Sequence, residues 1–285
     1  MLLWNGRSRL ILWSVFAVVI TVVFIAPIAT VVLAGFSGAW TGPLPTQLSF
    51  MRYEKALGGD DLASMAVSLQ TAVMSSGVAL LLGTWAALSV REVPSWLRRV
   101  IDAVFHLPIA IPSVAIGLGL LTAFNEPPLL LGGTKWIVIV AHTALVLAFA
   151  FSSVSAALER LDPAYRQVAE SLGAGSVRVV RTVTLPLLMP SLGAAAGLAI
   201  ALSMGELGAT VMVYPSSWRT LPVTIFGLSD RGQVFSAAAS TTLLLMVTLL
   251  ALLVVWRRPA ARLITGRGRH FRRRKGAGPC LRSRT

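Results

Sequence analysis

One carboxylate in this sequence sits among residues suited to the inside of a bilayer. Glu206 lies in ALSMGELGATVMV, between Gly205 and Gly208 and just after Ser203. An ionised carboxylate at the centre of a spanning helix costs about 2.5–3.5 kcal/mol on insertion scales, so Glu206 must face water, a partner group or a bundle interior. Two roles stay open for it: lining the path of a solute, or pairing with a polar neighbour to orient helices. The flanking glycines thin the helix and permit close packing or an opening, which makes Ser203, Gly205, Glu206 and Gly208 candidate pathway residues. Pro108 and Pro112, one turn apart in HLPIAIPSVAIGLGLL, form a second group. Each disfavours straight helix, so a kink or broken turn is expected, acting either as a gate hinge or as a packed bend. Ser68, Gln70, Thr71, Ser75 and Ser76 put a polar stripe on another segment, which interhelical hydrogen bonding and a wet pathway explain equally well.

Other chemistry finds little support. His106 and His142 have no second His, Cys or carboxylate at ligand spacing, so no metal site is expected. Cys280 is the single cysteine, which excludes an internal disulfide and a multi-cysteine site. No nucleophile and base stand at useful spacing, so a membrane enzyme is disfavoured. The phosphate-cradling pattern G-x-x-x-x-G-K-[ST] is absent, and no cofactor is expected.

The elements that must position these residues are membrane spans. Of 285 residues, 55% are hydrophobic and 13% charged, with a mean hydropathy of +0.77, a poor fit to a soluble domain. Since about 20 apolar residues cross a bilayer, six windows qualify, near 10–36, 65–90, 101–124, 136–158, 186–213 and 235–256. They are continuous rather than alternating, so they predict helices and not a barrel. The first is read as a retained helix, without a small-residue cleavage pattern after it. No internal repeat is visible, and residues 10–256 form one expected transmembrane domain.

The formal net charge is +14, much of it in the tail RGRHFRRRKGAG with Arg267, Arg269, Arg272, Arg273, Arg274 and Lys275. Residues 257–285 are read as a disordered cytoplasmic tail near anionic lipid rather than a nucleic-acid-binding module. Arg7 and Arg9, then Arg91, Arg98 and Arg99, then Arg160, Arg166, Arg178 and Arg181 fall on one side, which the positive-inside rule makes cytoplasmic. Residues 1–9 and the tail, hence both termini, share that side. The first external loop, rich in Gly and Pro, predicts a short amphipathic helix around 50–57. The last, YPSSWRTLPVTIFGLSDRGQ, reads as a loop partly embedded at the membrane face.

Between the fourth and fifth spans the pattern changes. LDPAYRQVAESLG opens with an Asp-Pro helix start, spaces Tyr165, Val168, Ala169 and Leu172 at helical intervals and stops at Gly173. A second short helix, SVRVVRTVT, is predicted to end before Leu185-Pro186. Ala169, Ser171, Gly173, Ala174 and Gly175 offer a small-residue face for docking, while Arg166, Arg178 and Arg181 hold the elbow at the interface. A plain cytoplasmic loop folded on its own bundle fits the composition equally well.

This stretch resembles the permease subunits of binding-protein-dependent ABC importers, which carry E-A-A-x-x-x-G, nine residues and I-x-L-P on the cytoplasmic side. Gln167-Val168-Ala169 stands where E-A-A is usual, Gly173 is the glycine, Ala174 to Thr182 intervene, and Val183-Thr184-Leu185-Pro186 closes the pattern. Gln167 and Val168 depart from the usual Glu-Ala. The resemblance covers about residues 10–256. It implies an all-α membrane protein of the type I importer permease kind, with about six spans and a coupling helix at 161–185. There Gln167, Val168, Ala169, Gly173, Leu185 and Pro186 would meet a separate ATPase subunit. A second permease, identical or homologous, an extracytoplasmic substrate-binding protein and a location in the bacterial inner membrane are implied as well. SMGELGAT is similar to the equivalent segment in permeases for molybdate, sulfate, ferric iron, thiamine and 2-aminoethylphosphonate. The longer run from Ser203 to Ser240 most resembles the last group. Arg219 and Arg231, outside the membrane, would meet the binding protein, a passing anion, or only water. A proton-driven secondary transporter with Glu206 as relay is the main competing class. The lone acid, the elbow and the lack of an inverted repeat stand against it.

Overall fold

The computed structural model describes residues 6–40, 42 and 45–270, with side chains from residue 9 to residue 255. The remainder of the basic tail, Cys280 included, lies outside the described residues. Among the described residues, five helices are long and apolar enough to span a membrane: Arg9–Phe36, Gly59–Glu92, Lys135–Glu159, Ser176–Met204 and Val234–Val255. A sixth span is split into Ser95–Ala110 and Ser113–Ala123, which meet at 104°.

The split follows from proline. Pro112 clashes with a helical conformation at the residue before it, and Ile111 is accordingly extended, at φ −97 and ψ 132. The Pro112 carbonyl then accepts from the Ala115 and Ile116 amides, restarting the helix. Pro108 lies inside Ser95–Ala110 without ending it. Of the expected pair, Pro112 makes the break.

The fifth span differs from expectation in two places. The helix expected to stop before Leu185-Pro186 instead continues, so that one helical run covers Ser176–Met204. A wide turn at Val180–Thr184 lets the Leu185 amide reach back to the Val180 carbonyl. Such a loosened turn gives room to the ring of Pro186, which would otherwise crowd the carbonyl four residues back. The first span repeats the device, with a wide turn at Thr21–Ile25, an Ala26 amide bonded to the Thr21 carbonyl, and Pro27 next. At its far end the fifth span stops at Met204 and resumes only as the short helix Gly208–Val213. The last helix, Val234–His270, carries on past the predicted end at Trp256.

The chain groups into two compact units. One gathers the described residues up to Thr71 with Gly117–Val138 and Met204–Thr248. Its core joins Ala56, Met65, Leu221, Ala239 and Leu243. The Tyr53 hydroxyl donates to the Val32 carbonyl at 3.0 Å, fastening the predicted short helix, observed as Met51–Ala56, to the end of the first span. A two-stranded antiparallel ribbon, Ser37–Ala39 with Thr46–Leu48, fills the Gly- and Pro-rich loop. The loop expected at the membrane face is largely the helix Leu221–Asp230, with Leu221, Pro222, Val223 and Thr224 buried. The second unit gathers Ala72–Ile116, Ile139–Ser203 and the chain from Leu249. Phe105 stacks on Phe151 at 4.4 Å, over a core with Val154, Leu158 and Leu188. A layer of Ala79, Val146, Ala150 and Ala199 lets its helices approach closely.

Candidate functional site

The elbow is present as a helix, a glycine and a second helix. Asp162 accepts the Ala164 amide at 2.9 Å and starts the helix Ala164–Ser171. Gly173 ends it at φ +79, with the Ala174 amide turned back to the Ala169 carbonyl at 3.1 Å. Gly175 is extended and the next helix begins at Ser176. The exposed residues of the elbow include small ones, Ser171, Gly173 and Gly175, as well as bulky ones. Tyr165, Val168 and Leu172 are 56%, 59% and 83% exposed, while Ala169 and Ala174 are half-buried. Gln167 and Pro186 are exposed and Leu185 half-buried. Tyr165, Val168 and Leu172 give that exposed surface its apolar bulk.

Arg166 fixes the elbow's other side. Its Nε donates to Glu170 Oε1 at 2.7 Å and its Nη1 to Glu92 Oε1 at 2.9 Å. The hydrogen bond to Glu170, then that to Glu92, holds the guanidinium pKa above its usual value. Behind these groups a cavity of about 1090 Å³ is lined by Trp85, Arg91, Glu92, Tyr165, Arg166 and Arg181, among others.

Glu206 occupies the break between Met204 and Gly208 and is half-buried. Its Oε1 accepts the Ala209 amide at 2.8 Å, satisfying one of the donors that a helix start leaves free. Gly205 is exposed and Gly208 opens the short helix. This contact needs an acceptor oxygen, which a neutral amide side chain also supplies. Glu206→Ala is expected to destabilise the chain by about 1–2 kcal/mol, while Glu206→Gln, which keeps an acceptor, stays close to the parent. Thermal unfolding in detergent checks this, and equal losses for both variants would assign the effect to charge.

Ser68, Thr71 and Ser75 of the polar stripe, with Ser64 on the same face, hydrogen-bond to other segments, whereas Ser76 Oγ is buried with no hydrogen-bond partner among the described residues. Ser64 accepts from Thr224 at 2.9 Å, Ser68 from the Leu221 amide at 2.7 Å and Thr71 from Trp218 Nε1 at 3.0 Å. Farther along, Ser75 shares a 3.2 Å hydrogen bond with Ser203, which lies 2.7 Å from His142 Nδ1. Ser203, His142, Ser75 and Ser76 are all buried, and Gln70 is exposed. Ser64 was missed in the sequence, although it extends the same helical face. His106 is also engaged, its Nδ1 2.6 Å from the Asp102 carbonyl and its Nε2 2.8 Å from Ser152. Among the described residues no cluster of His, Cys, Asp and Glu suits a metal. Arg219 lies 3.8 Å from Asp60, and Arg231 donates to the Gly227 carbonyl at 2.8 Å.

Among the described residues, five continuous apolar helices and one broken pair give the span content of a multi-pass helical membrane protein. The chain belongs to the family of binding-protein-dependent transport system inner membrane components, whose profile matches residues 79–262. It is 44% identical over 238 residues to a protein of Salmonella paratyphi A provisionally named 2-aminoethylphosphonate transport system permease protein PhnV, covering 84% of this chain and 90% of that one. The molybdenum transport system permease protein ModB of Haemophilus influenzae is 29% identical over 180 residues, covering 58% of this chain and 79% of that protein. Among solved structures, a bacterial ABC transporter involved in importing the acidic polysaccharide alginate shares the fold, with a TM-score of 0.69 at 17% identity over 91% of this chain and 97% of that one. The protein is an ABC importer permease, a transport subunit of the inner membrane.

Proposed function

We propose that this permease carries 2-aminoethylphosphonate inward, receiving it from an extracytoplasmic binding protein and alternating access when separate ATPase subunits close. The observation that carries the substrate is the 44% identity to PhnV along 84% of the chain. Molybdate is the second reading, on the lower identity to ModB. A second permease chain, identical or homologous, completes the pathway, and both termini are cytoplasmic. The elbow at 161–185 docks on an ATPase subunit through Tyr165, Val168 and Leu172, an apolar face on an amphipathic helix that its own unit leaves open. Gly173, Gln167, Val168 and Ala169 shape that contact, and Leu185-Pro186 joins it to the fifth span. Glu206, with Gly205, Gly208 and Ser203, and the break at Pro112 form the moving part of the pathway.

The test is purification of the tagged chain in mild detergent with identification of stoichiometric partners, followed by uptake of 2-aminoethylphosphonate and of molybdate in proteoliposomes holding those partners. Recovery of an ATPase subunit and ATP-dependent uptake of 2-aminoethylphosphonate is the expected result. ATP-dependent uptake of molybdate alone would replace the substrate. Transport by the chain alone without ATP would overturn the reading.

A further inference from the structure

The turn after the second span is tied to the elbow region at two places. Arg166 of the elbow helix bonds to Glu92, the last residue of the span Gly59–Glu92. Arg98, in the first turn of Ser95–Ala110, donates Nη2 to Glu159, the last residue of Lys135–Glu159, after which the chain enters the elbow. One tie therefore holds the elbow helix and the other its entry. Each joins segments far apart in sequence, and both end on the short stretch from Glu92 to Arg98. Each arginine also has a carboxylate one helical turn away on its own helix, Glu170 for Arg166 and Asp102 for Arg98. Those local pairs orient the guanidinium before it reaches the remote partner.

The stretch held this way leads straight into Ser95–Ala110, and that helix ends at the 104° break at Ile111–Pro112. We infer that Glu92–Arg166 and Arg98–Glu159 are coupling ties, positioning pairs that carry displacement of the elbow to the broken third span. The inference rests on the elbow being the ATPase contact proposed above. Exposed ion pairs contribute little to fold stability, and all four residues are substantially exposed. Their contribution lies in register: a helix that tilts while its charged neighbour stays behind loses both pairs, whereas movement together keeps them.

The experiment uses the assembled transporter in proteoliposomes, reading solute imported per ATP hydrolysed. Glu92→Gln and Arg166→Gln are each expected to lower that ratio about threefold, and the double variant to be no worse than the worse single one. Arg98→Gln and Glu159→Gln should behave as a second such pair. Glu170→Gln, which removes only the local partner of Arg166, should lower the ratio less than Glu92→Gln. Raised ionic strength on the elbow's side should lower the parent's ratio and leave unchanged that of a variant lacking both pairs. Unchanged ratios in the single variants, additive losses within a pair, or a larger loss from Glu170→Gln than from Glu92→Gln would each overturn the ties. Leu172→Cys, made in a Cys280→Ser background, separates this from failure of the elbow reading. A cross-link to the ATPase subunit with unaltered ratios sinks the ties alone. Absence of any cross-link in a transporter that imports sinks the elbow reading with them.

Discussion

Gly173→Val is expected to lower uptake about tenfold, because the left-handed backbone at this position costs a residue with a β-carbon about 1–2 kcal/mol. Gly173→Asn, a residue that tolerates the same backbone region, should import close to normally. The contrast isolates conformation from contact. Gly173 holds φ +79, and a β-carbon placed on it would meet nothing within 4 Å. Among the described residues no clash of that β-carbon accounts for a loss there. What valine changes is the angle at which Ala164–Ser171 hands over to Ser176–Val179, and with it the direction of Tyr165, Val168 and Leu172. Membrane insertion depends on the apolar spans, which the substitution does not touch, so the amount of chain in the membrane fraction should hold. ATP hydrolysis by the assembled transporter should persist while uptake falls. Normal uptake by the valine variant at normal amounts would show that the turn at Gly173 does not govern transport.

How far the sequence reveals such features depends on whether their cause is local. Hydropathy over about 20 residues reports spans directly, and the expected windows correspond to the five long helices and the broken pair. The break at Pro112 was legible because proline acts on its immediate neighbour. The end of the elbow helix was legible because a glycine follows an amphipathic run. The wide turns at Thr21–Ile25 and Val180–Thr184 were not foreseen, although each stands just ahead of a proline, at Pro27 and Pro186. A proline in an apolar run says that something must yield, not whether the chain kinks or loosens. Leu221–Asp230 was read as loop because its aromatic and turn-forming flanks dominate, yet Thr220-Leu221-Pro222 carries a helix start with proline in the first turn.

Features with remote causes were hidden. The small residues of the elbow look equally available for docking when read alone, and only the structure shows Ala169 and Ala174 half-buried while Tyr165, Val168 and Leu172 are exposed. Arg98 and Arg166 read as interface charges that orient the chain, and Glu92 and Glu159 carried no signal of their own. Their pairing depends on helix ends brought together by folding. The polar stripe left two readings open for the same reason, and its partners Trp218, Leu221 and Thr224 lie far along the chain.

Gly117 is where the two broken spans meet, and Gly117→Leu should lower the unfolding temperature by several degrees while Gly119→Leu leaves it nearly unchanged. A β-carbon on Gly117 would fall 2.7 Å from the Ala209 carbonyl oxygen, 2.8 Å from Ala209 Cα and 3.0 Å from Met212 Cβ. Two of these atoms are backbone, so no rotamer change relieves the conflict. The helices must separate, at about 1–3 kcal/mol for an overpacked contact. Gly119, on the same helix, has open space where its β-carbon would stand. Helix propensity is altered equally by both substitutions, so the difference between them reports the contact. The segment displaced by Gly117→Leu is Gly208–Val213, whose Ala209 amide is held by Glu206. Loss of packing at Gly117 therefore also strains the one carboxylate of the fifth span, and a Glu206→Ala, Gly117→Leu double variant should lose less than the sum of the single losses. The helix restarted by Pro112 and the helix capped by Glu206 would then be one mechanical element. Additive losses, or a parent-like unfolding temperature for Gly117→Leu, would show that the two breaks act separately.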